Sequence, residues 1–377
     1  MVVTSLSFFL ILMTLVYVIL VLYMRKGWSS IPSFSSSATV RTKVSVLIAA
    51  RNEEENIART LDCVLNQDFP KELLEIIVVD DHSTDSTASI IASYAPQGVK
   101  LIKLNEGDKL NSYKKLAISR AIELAQGEII VTTDADCRMG KNWLKTVVSY
   151  FEKNDNYLVS SPVIYDEEIN FFERLQTLEF LYLIGLGAAG IGNGNPTTCN
   201  GANLAYRRDI FYEMGGFKNI DNLASGDDEL FLHKVAAQYA SKIGFCKSKE
   251  AVVYTDAKPN LKSFINQRKR WASKSTKYKD KKVVALGICI WGFNLALLIG
   301  LVLFFSLLPG IYWPIIFAIV LKIAVEFLFI KPLCNFANRK ELLLYLPALS
   351  IAHSFYLVYI GIAGNIGKYD WKDRKVN

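Results

Sequence analysis

The chain has 377 residues, 51% apolar, 12% aromatic and 21% charged, with 43 Lys/Arg against 36 Asp/Glu. A disordered chain, poor in apolar residues and dense in charge, is excluded, and the length allows two domains or one large one. Six scattered cysteines with no CxxC pair, and three histidines that never form HxxxH, exclude a disulfide scaffold and a zinc site.

Leu6 to Met24 is uncharged and mostly aliphatic or aromatic, long enough to cross about 30 Å of hydrocarbon as a helix. No basic residue precedes it and no small-x-small cleavage site follows, so it reads as an anchor and not a signal peptide. Arg25 and Lys26 come directly after it, which places the N-terminus outside and the next segment in the cytoplasm. The Ser-rich stretch Ser29 to Ser37 then reads as a flexible tether.

Short apolar strands are expected at Val44 to Ala50, Glu75 to Asp80, Val99 to Leu104 and Ile129 to Thr133. Between them Ile57, Leu61, Val64 and Leu65, and later Leu116 to Ala125, carry helical spacing, so the pattern is a βαβ series with a parallel sheet. Ligands of such sheets bind beyond the carboxyl ends of the strands, which is where the acids fall: Asp80 and Asp81 end the second strand, Asp134 and Asp136 follow the fourth. Two carboxylates two residues apart can share a hard cation, Mg²⁺ or Mn²⁺, and the sugar of a bound nucleotide. Asp81 can reach a base edge or ribose, or cap the helix that Ser83, Thr84 and Asp85 open.

Gly185-Leu186-Gly187-Ala188-Ala189-Gly190 matches GxGxxG, but it follows a helical pattern over Phe171 to Ile184 where the dinucleotide fingerprint needs a strand. It is expected to be a glycine-rich loop. Lys262 to Lys282 holds nine Lys/Arg and one Asp, a net +8 against +7 for the whole chain. Just before an apolar segment, this stretch fits an anionic phospholipid surface better than nucleic acid. Val283 to Pro309, Ile311 to Ile330 and Leu342 to Gly367 are three further candidate spans; within the second, Lys322 and Glu326 stand four apart and can pair. Four crossings from an outside start would leave Lys368, Lys372, Arg374 and Lys375 outside, against the charge rule, so one apolar segment is expected to be re-entrant or interfacial.

From Val44 to Trp271 these residues resemble the family 2 glycosyltransferases, inverting enzymes of the glycosyltransferase-A fold. Val44-Ser45-Val46-Leu47-Ile48-Ala49-Ala50-Arg51-Asn52-Glu53 resembles the family's opening strand and loop, and Val78-Val79-Asp80-Asp81-His82-Ser83-Thr84-Asp85 its VVDDxSxD motif. Lys114-Lys115-Leu116-Ala117 resembles the lysine-bearing helix start, Thr133-Asp134-Ala135-Asp136 the metal-binding DxD, and Gln267-Arg268-Lys269-Arg270-Trp271 the QxxRW motif. Asn200-Gly201-Ala202-Asn203-Leu204-Ala205-Tyr206-Arg207-Arg208 and Gly215-Gly216-Phe217 resemble the acceptor-side signature.

The resemblance implies nucleotide-sugar contacts from Ala49, Arg51, Glu53, Asp81, Lys114 and Asp134, and a metal on Asp134 and Asp136. It implies acceptor or diphosphate contacts from Asn200, Gly201, Asp227, Gln267, Arg270 and Trp271. Where the family usually has Glu-Asp, this chain has Asp227-Asp228 within Ser225-Gly226-Asp227-Asp228-Glu229-Leu230. The resemblance puts the general base at Asp228; from chemistry alone, three consecutive acids leave that choice open, and a charged helix start is the bland alternative.

The expected architecture is α/β: a glycosyltransferase-A domain, with a Rossmann-like mixed sheet and helices on both faces, plus transmembrane helices. Its divisions are an anchor over 1–24, a linker over 25–40, a cytoplasmic catalytic domain over 41–255, a basic interface segment over 256–282, membrane helices over 283–367 and a basic tail over 368–377. The expected function is sugar transfer from a nucleotide-diphosphate sugar, UDP by default, to a lipid or lipid-linked acceptor in the inner or plasma membrane. A processive polysaccharide synthase is the alternative, and a non-catalytic nucleotide-binding membrane scaffold or transporter the remote one. No nucleic acid partner is expected.

Overall fold

The computed structural model describes residues 2–36, 39–105, 112–221, 226–274, 278, 281–305, 310–364, 369–371 and 374–376. Ser37 of the tether, Ser225 of the acidic motif, Lys277, Lys279 and Asp280 of the basic segment, and Lys368 and Lys372 of the tail lie outside the described residues. Contacts divide the chain into two compact units. One comprises Ser29–Glu167, Gly190–Ala257 and Asp370–Asn377; the other comprises Met1–Trp28, Glu168–Ala189 and Lys258–Tyr369.

Helix α1 (Val2–Ser30) precedes a series of β1 (Val44–Ala50), α2 (Ile57–Leu65), β2 (Leu74–Asp80), α3 (Thr87–Ser93), β3 (Val99–Lys103), α4 (Tyr113–Leu124) and β4 (Ile129–Asp134). Then come β5 (Arg138–Met139), α5 (Trp143–Asn154), β6 (Leu158–Ser160), β7 (Val163–Tyr165) and the long α6 (Phe171–Gly192). The chain continues through β8 (Leu204–Arg207), α7 (Arg208–Glu213), α8 (Glu229–Tyr239), β9 (Ile243–Phe245) and β10 (Val253–Thr255). Helices α9 (Leu261–Ala272), α10 (Lys281–Phe305), α11 (Tyr312–Ala337) and α12 (Leu346–Ala363) follow.

The central sheet has seven strands in the order β3-β2-β1-β4-β8-β6-β9. β3, β2, β1 and β4 are parallel, as the βαβ pattern requires; β8 joins antiparallel between β4 and β6, which makes the sheet mixed. Val46, Leu47, Ile48, Ile77, Val78, Ile130 and Val131 are all buried, because parallel strands are covered on both faces. Successive crossovers step one way from β1 to β3 and back the other way to β4. With right-handed connections this puts α2 and α3 on one face and α4 on the other. The reversal lies between β1 and β4, so the crevice at their carboxyl ends is the switch point of the sheet.

In the other unit, five helices among the described residues are long and apolar enough to cross a membrane: Val3–Ser30, Phe171–Gly192, Val283–Phe305, Tyr312–Ala337 and Lys340–Ala363. The sequence pattern supplied four of these and missed α6, whose GxGxxG run is helix and not the expected loop. A Cβ on Gly185 would fall 2.4 Å from a methyl group of Leu333, so this glycine admits a neighbouring helix and bends nothing. β6 before it and β8 after it are hydrogen-bonded neighbours in the central sheet.

Helices α1, α10 and α11 share an apolar seam around Leu10, Ala296, Leu297, Ile315 and Ala318. The expected Lys322–Glu326 pair forms at 2.6 Å and is buried; Tyr17 donates to Glu326 at 2.5 Å and Lys322 to the Ser350 carbonyl at 2.9 Å. Near the start of α1, Ser7 donates to the Gly310 carbonyl (3.2 Å), and near its end Trp28 meets Phe336 edge to face. α1 and α11 are therefore parallel. Helix α12 packs on α10, Ser354 donating to Asn294 Oδ1 (2.8 Å) and Trp291 Nε1 to the Val358 carbonyl (3.3 Å), and on α11 through the Lys322–Ser350 contact; it also meets α6 and α9. Arg174 donates to Tyr345 (2.7 Å) just before α12 begins, Tyr356 to Glu179 (3.4 Å) midway, and a Cβ on Gly364 would fall 2.7 Å from that of Ala272.

Candidate active site

β1 and β2 end level with each other, Ala50 opposite Asp80, and on the other side of β1 Ala49 stands opposite Asp134. The loops that follow are laced together. Arg51 Nη1 donates to the carbonyls of Asp81 and His82, both at 2.8 Å, the Asn52 amide donates to Ser83 Oγ at 3.0 Å, and the Glu53 amide to Thr87 Oγ1 at 2.7 Å. Asn52 and His82 have φ of 48° and 55°, a region where Asn and His are the least penalised residues after glycine. Asp81 is 2% exposed, its carboxylate 3.0 Å from His82 Nδ1. Ala49 stays partly exposed beside it, so a flat group can approach this corner without meeting a long side chain.

The DxD turn is fixed from below by a residue that the sequence motifs do not include. Thr60 of α2, fully buried, donates to the carbonyls of Ala135 (2.8 Å) and Cys137 (2.9 Å), leaving the partly exposed carboxylates of Asp134 and Asp136 above the strand end. Lys114, in the first turn of α4, reaches Asp134 Oδ1 at 2.7 Å and Asp227 Oδ2 at 3.4 Å. Burial opposes the charge on this lysine, but Asp134, Asp227 and Asp228 outweigh it and hold the ammonium above its ordinary value.

Asp228 caps α8. One oxygen accepts from the Glu229 amide (2.7 Å), the other from the Gly201 amide (2.9 Å). A Cβ on Gly201 would fall 3.2 Å from that of Asp228 and 3.5 Å from Asp227 Oδ2, so glycine permits the close approach. Thr132 of β4 donates to the Gly201 carbonyl at 2.8 Å, which ties this turn to the strand carrying Asp134. Asn200 caps the turn through the Ala202 amide (2.9 Å). Asn203 is buried; its amide donates to Pro162 and Ala251 carbonyls and its oxygen accepts from Trp143 Nε1, so this part of the signature is scaffold. The three consecutive acids differ: Asp227 faces Lys114, Glu229 is 6% exposed at the start of α8, and Asp228 is braced by backbone amides.

The folded unit thus gathers Ala49, Asp81, Lys114, Asp134, Asp136, Gly201, Asp227 and Asp228 at one end of the sheet. Arg51, Glu53 and Asn200 are also there; the side chains of Arg51 and Asn200 bond loop backbone, and Glu53 donates its amide to Thr87 Oγ1 while its carboxylate accepts from the Asn56 side chain. Gln267, Arg270 and Trp271 belong to α9 in the other unit, where Gln267 accepts from Arg268 and Trp271 stacks on Phe180. Thr60, Thr132 and Asn203 act through backbone carbonyls, and nothing in a single sequence marks a hydroxyl or amide for that use.

Among the described residues, no group of three or more His, Cys, Asp or Glu side chains is arranged to hold a metal on its own. Asp134 and Asp136 are two hard oxygen donors, and Mg²⁺ or Mn²⁺ is commonly held by one or two carboxylates with substrate phosphate and water completing the shell. The donor set fits such an ion if it arrives with a diphosphate.

Residues 45–215 match the family model described as Glycosyl transferase family 2. The chain is 30% identical over 175 residues to the beta-monoglucosyldiacylglycerol synthase of a Nostoc species, an alignment covering 46% of this chain and 37% of that protein. It is 27% identical over 241 residues to the hyaluronan synthase of Streptococcus pyogenes, covering 61% and 56%. The chain therefore spans between about a third and somewhat over half of the length of these curated relatives. Among solved structures it is similar to a mannosyltransferase from Pyrobaculum calidifontis in complex with GDP-Man and Mn²⁺. The TM-score is 0.61 at 18% identity, covering 96% of this chain and 98% of that one. That likeness carries the fold, and the family match carries the domain: residues 45–215 are a domain of the family 2 glycosyltransferases, with the glycosyltransferase-A fold.

Proposed function

We propose that the protein is a membrane-bound inverting glycosyltransferase that moves a sugar from a nucleotide-diphosphate sugar to a lipid or lipid-linked acceptor. The observation that carries this reading is the convergence of Lys114 on Asp134 and Asp227 beside the amide-braced Asp228, at the switch point of the sheet. Asp81 and Ala49 would receive the nucleoside. Asp228 would take the proton of the acceptor hydroxyl as its oxygen attacks the anomeric carbon; the bond from that carbon to the diphosphate oxygen breaks, and the nucleotide diphosphate leaves with the electron pair. The Lys114 ammonium offsets the charge that develops on the leaving group. A divalent cation on Asp134 and Asp136 would add to that neutralisation when bound.

A lipid acceptor agrees with the membrane helices, because an active site tethered at the bilayer meets a lipid substrate by local encounter. The relative named for glucosyldiacylglycerol synthesis points the same way. The relative named for hyaluronan synthesis favours a processive polymerase as the second reading.

Our reading of the topology is three crossings, α1, α10 and α11. Helix α9 is too short and too charged to cross, the strands on either side of α6 pair with each other, and a crossing by α12 would put the basic tail opposite Arg339 and Lys340, against the charge rule. Arg25, Lys26, Lys331, Arg339, Lys340 and the basic tail then fall on the side of the catalytic unit, as the charge rule asks of a cytoplasmic face. The basic residues of α9, Lys262 and Lys269 among them, would meet anionic headgroups there.

Purified full-length protein, given UDP-, GDP- and dTDP-sugars with total membrane lipid, tests this reading. A lipid-extractable product bearing one added sugar supports it, a water-soluble polymer supports the second reading, and no turnover of any donor with or without Mg²⁺ or Mn²⁺ overturns both.

A further inference from the structure

The QxxRW motif of α9 contains a residue between its named positions that the motif does not specify. Arg268 is 2% exposed, and each of its three guanidinium nitrogens donates a hydrogen bond. Nε donates to Glu179 Oε1 at 3.1 Å, Nη2 to Glu179 Oε2 and Nη1 to Gln267 Oε1. The planar group also lies 4.3 Å from the ring centre of Trp271 and 4.5 Å from that of Phe264. Trp271 is stacked from the other direction by Phe180, the neighbour of Glu179 in α6, with ring centres 6.1 Å apart.

Burying an ion pair this completely costs desolvation of the same order as the attraction it gains, so it is a weak means of stabilising a fold. What it does supply is direction. Helical spacing puts Phe264, Arg268 and Trp271 on one face of α9, and the fork of a carboxylate on α6 fixes the plane on which the indole rests. Tyr356 of α12 donates to the same carboxylate at 3.4 Å and so limits the rotation of Glu179.

We infer that Arg268 and Glu179 are positioning residues that set the side-chain orientation of Gln267 and Trp271 for contact with the sugar or the acceptor. This rests on the glycosyltransferase reading above. Lysine cannot replace arginine in this role, because an ammonium has no plane to stack and no fork to match a carboxylate. Glutamine for Glu179 keeps the shape and one acceptor oxygen but removes the charge that orders the guanidinium.

The test uses full-length protein carrying Arg268→Lys, Glu179→Gln, Trp271→Ala or Gln267→Ala, with donor and acceptor varied separately and melting followed in detergent. Arg268→Lys and Glu179→Gln should each raise the acceptor KM by about fivefold or more with the donor KM nearly unchanged. They should also shift the emission of Trp271, isolated by subtracting a Trp271→Phe control. Folded variants with wild-type acceptor KM and unshifted emission overturn the inference. If neither variant folds, the pair is structural and the inference also fails. Should Trp271→Ala and Gln267→Ala leave transfer unchanged, the motif reading fails, whereas the emission of Arg268→Lys still reports whether Arg268 orients the indole.

Discussion

Lys114 Nζ stands 2.7 Å from Asp134 Oδ1, so the first acid of the DxD pair is paired with a lysine from the start of α4, the helix that leads into β4. The same ammonium reaches Asp227, and it is the counter-charge that lets carboxylates from β4 and from the turn before α8 converge. Lys114→Met should therefore raise the donor KM by about tenfold or more and lower transfer, since both carboxylates would face the diphosphate uncompensated. The pH sign follows from the same contacts. A lysine held above its ordinary 10.5 keeps the stabilisation it gives below that value and loses it only as pH rises through the higher folded value. Donor binding should then show no loss assignable to Lys114 between about pH 6 and about pH 9, as measured by isothermal titration. A lysine-dependent alkaline limb inside that range would contradict the arrangement.

Asp134 is tied to Lys114, so its substitution should have an effect beyond that of losing a metal ligand. Asp136→Asn is expected to raise the metal concentration for half-maximal turnover by about tenfold with the protein still folded. Asp134→Asn should do the same and also free Lys114, adding a loss of donor affinity in the absence of metal. Turnover of native protein that persists in EDTA would remove the metal assignment.

Thr60 offers a test far from any substrate contact. Its hydroxyl serves two carbonyls of the DxD turn, so Thr60→Val keeps the shape and leaves both without that donor. A loss of about 1 to 3 kcal/mol in the stability of the unit is expected, with weaker metal response than wild type. Denaturant midpoints and metal titration of the variant measure both; an unchanged metal response would mean that the turn is held by the strand alone.

The β1 to β4 series, its helices and the strand-end acids were legible because short β-branched apolar runs, helical spacing and acids after such runs are local signals. Helix α6 was not. Its glycines read as a loop, and only a neighbour pressing against Gly185 explains why they sit in a helix. Helix α12 carries the hydropathy of a span, and no property of its own residues says whether it crosses or returns. Arg268 was equally silent: adjacent arginines and lysines in a basic run look alike until one of them is buried against Glu179.

The three-crossing topology is measured by labelling single-cysteine variants, in a background without native cysteines, with a membrane-impermeant maleimide in sealed vesicles. Leu124→Cys reports the catalytic unit and Leu344→Cys the turn before α12; both are exposed. A cysteine appended after Asn377 should label together with these two, and Trp313→Cys, at the start of α11, only after detergent. Labelling of the appended cysteine together with Trp313→Cys would mean that α12 crosses.

The decisive variant for the chemistry is Asp228→Asn. Asparagine is as good a helix cap as aspartate, and its one oxygen can still accept from the Glu229 amide or the Gly201 amide, though not from both, so the fold of the unit should persist with one bond fewer at this turn. What is lost is proton affinity. Transfer should fall by about a hundredfold or more while donor affinity stays near wild type, because the donor does not depend on a base that acts on the acceptor. Asp227→Asn should behave otherwise, since Asp227 faces Lys114 and its loss disturbs the diphosphate side and hence donor KM. Glu229→Gln, at a buried position in the first turn of α8, should cost mainly stability. Donor affinity by titration and transfer by single-turnover rate, taken on all three, separate these roles. Equal losses across the three, or loss of donor binding at Asp228, would place the base elsewhere.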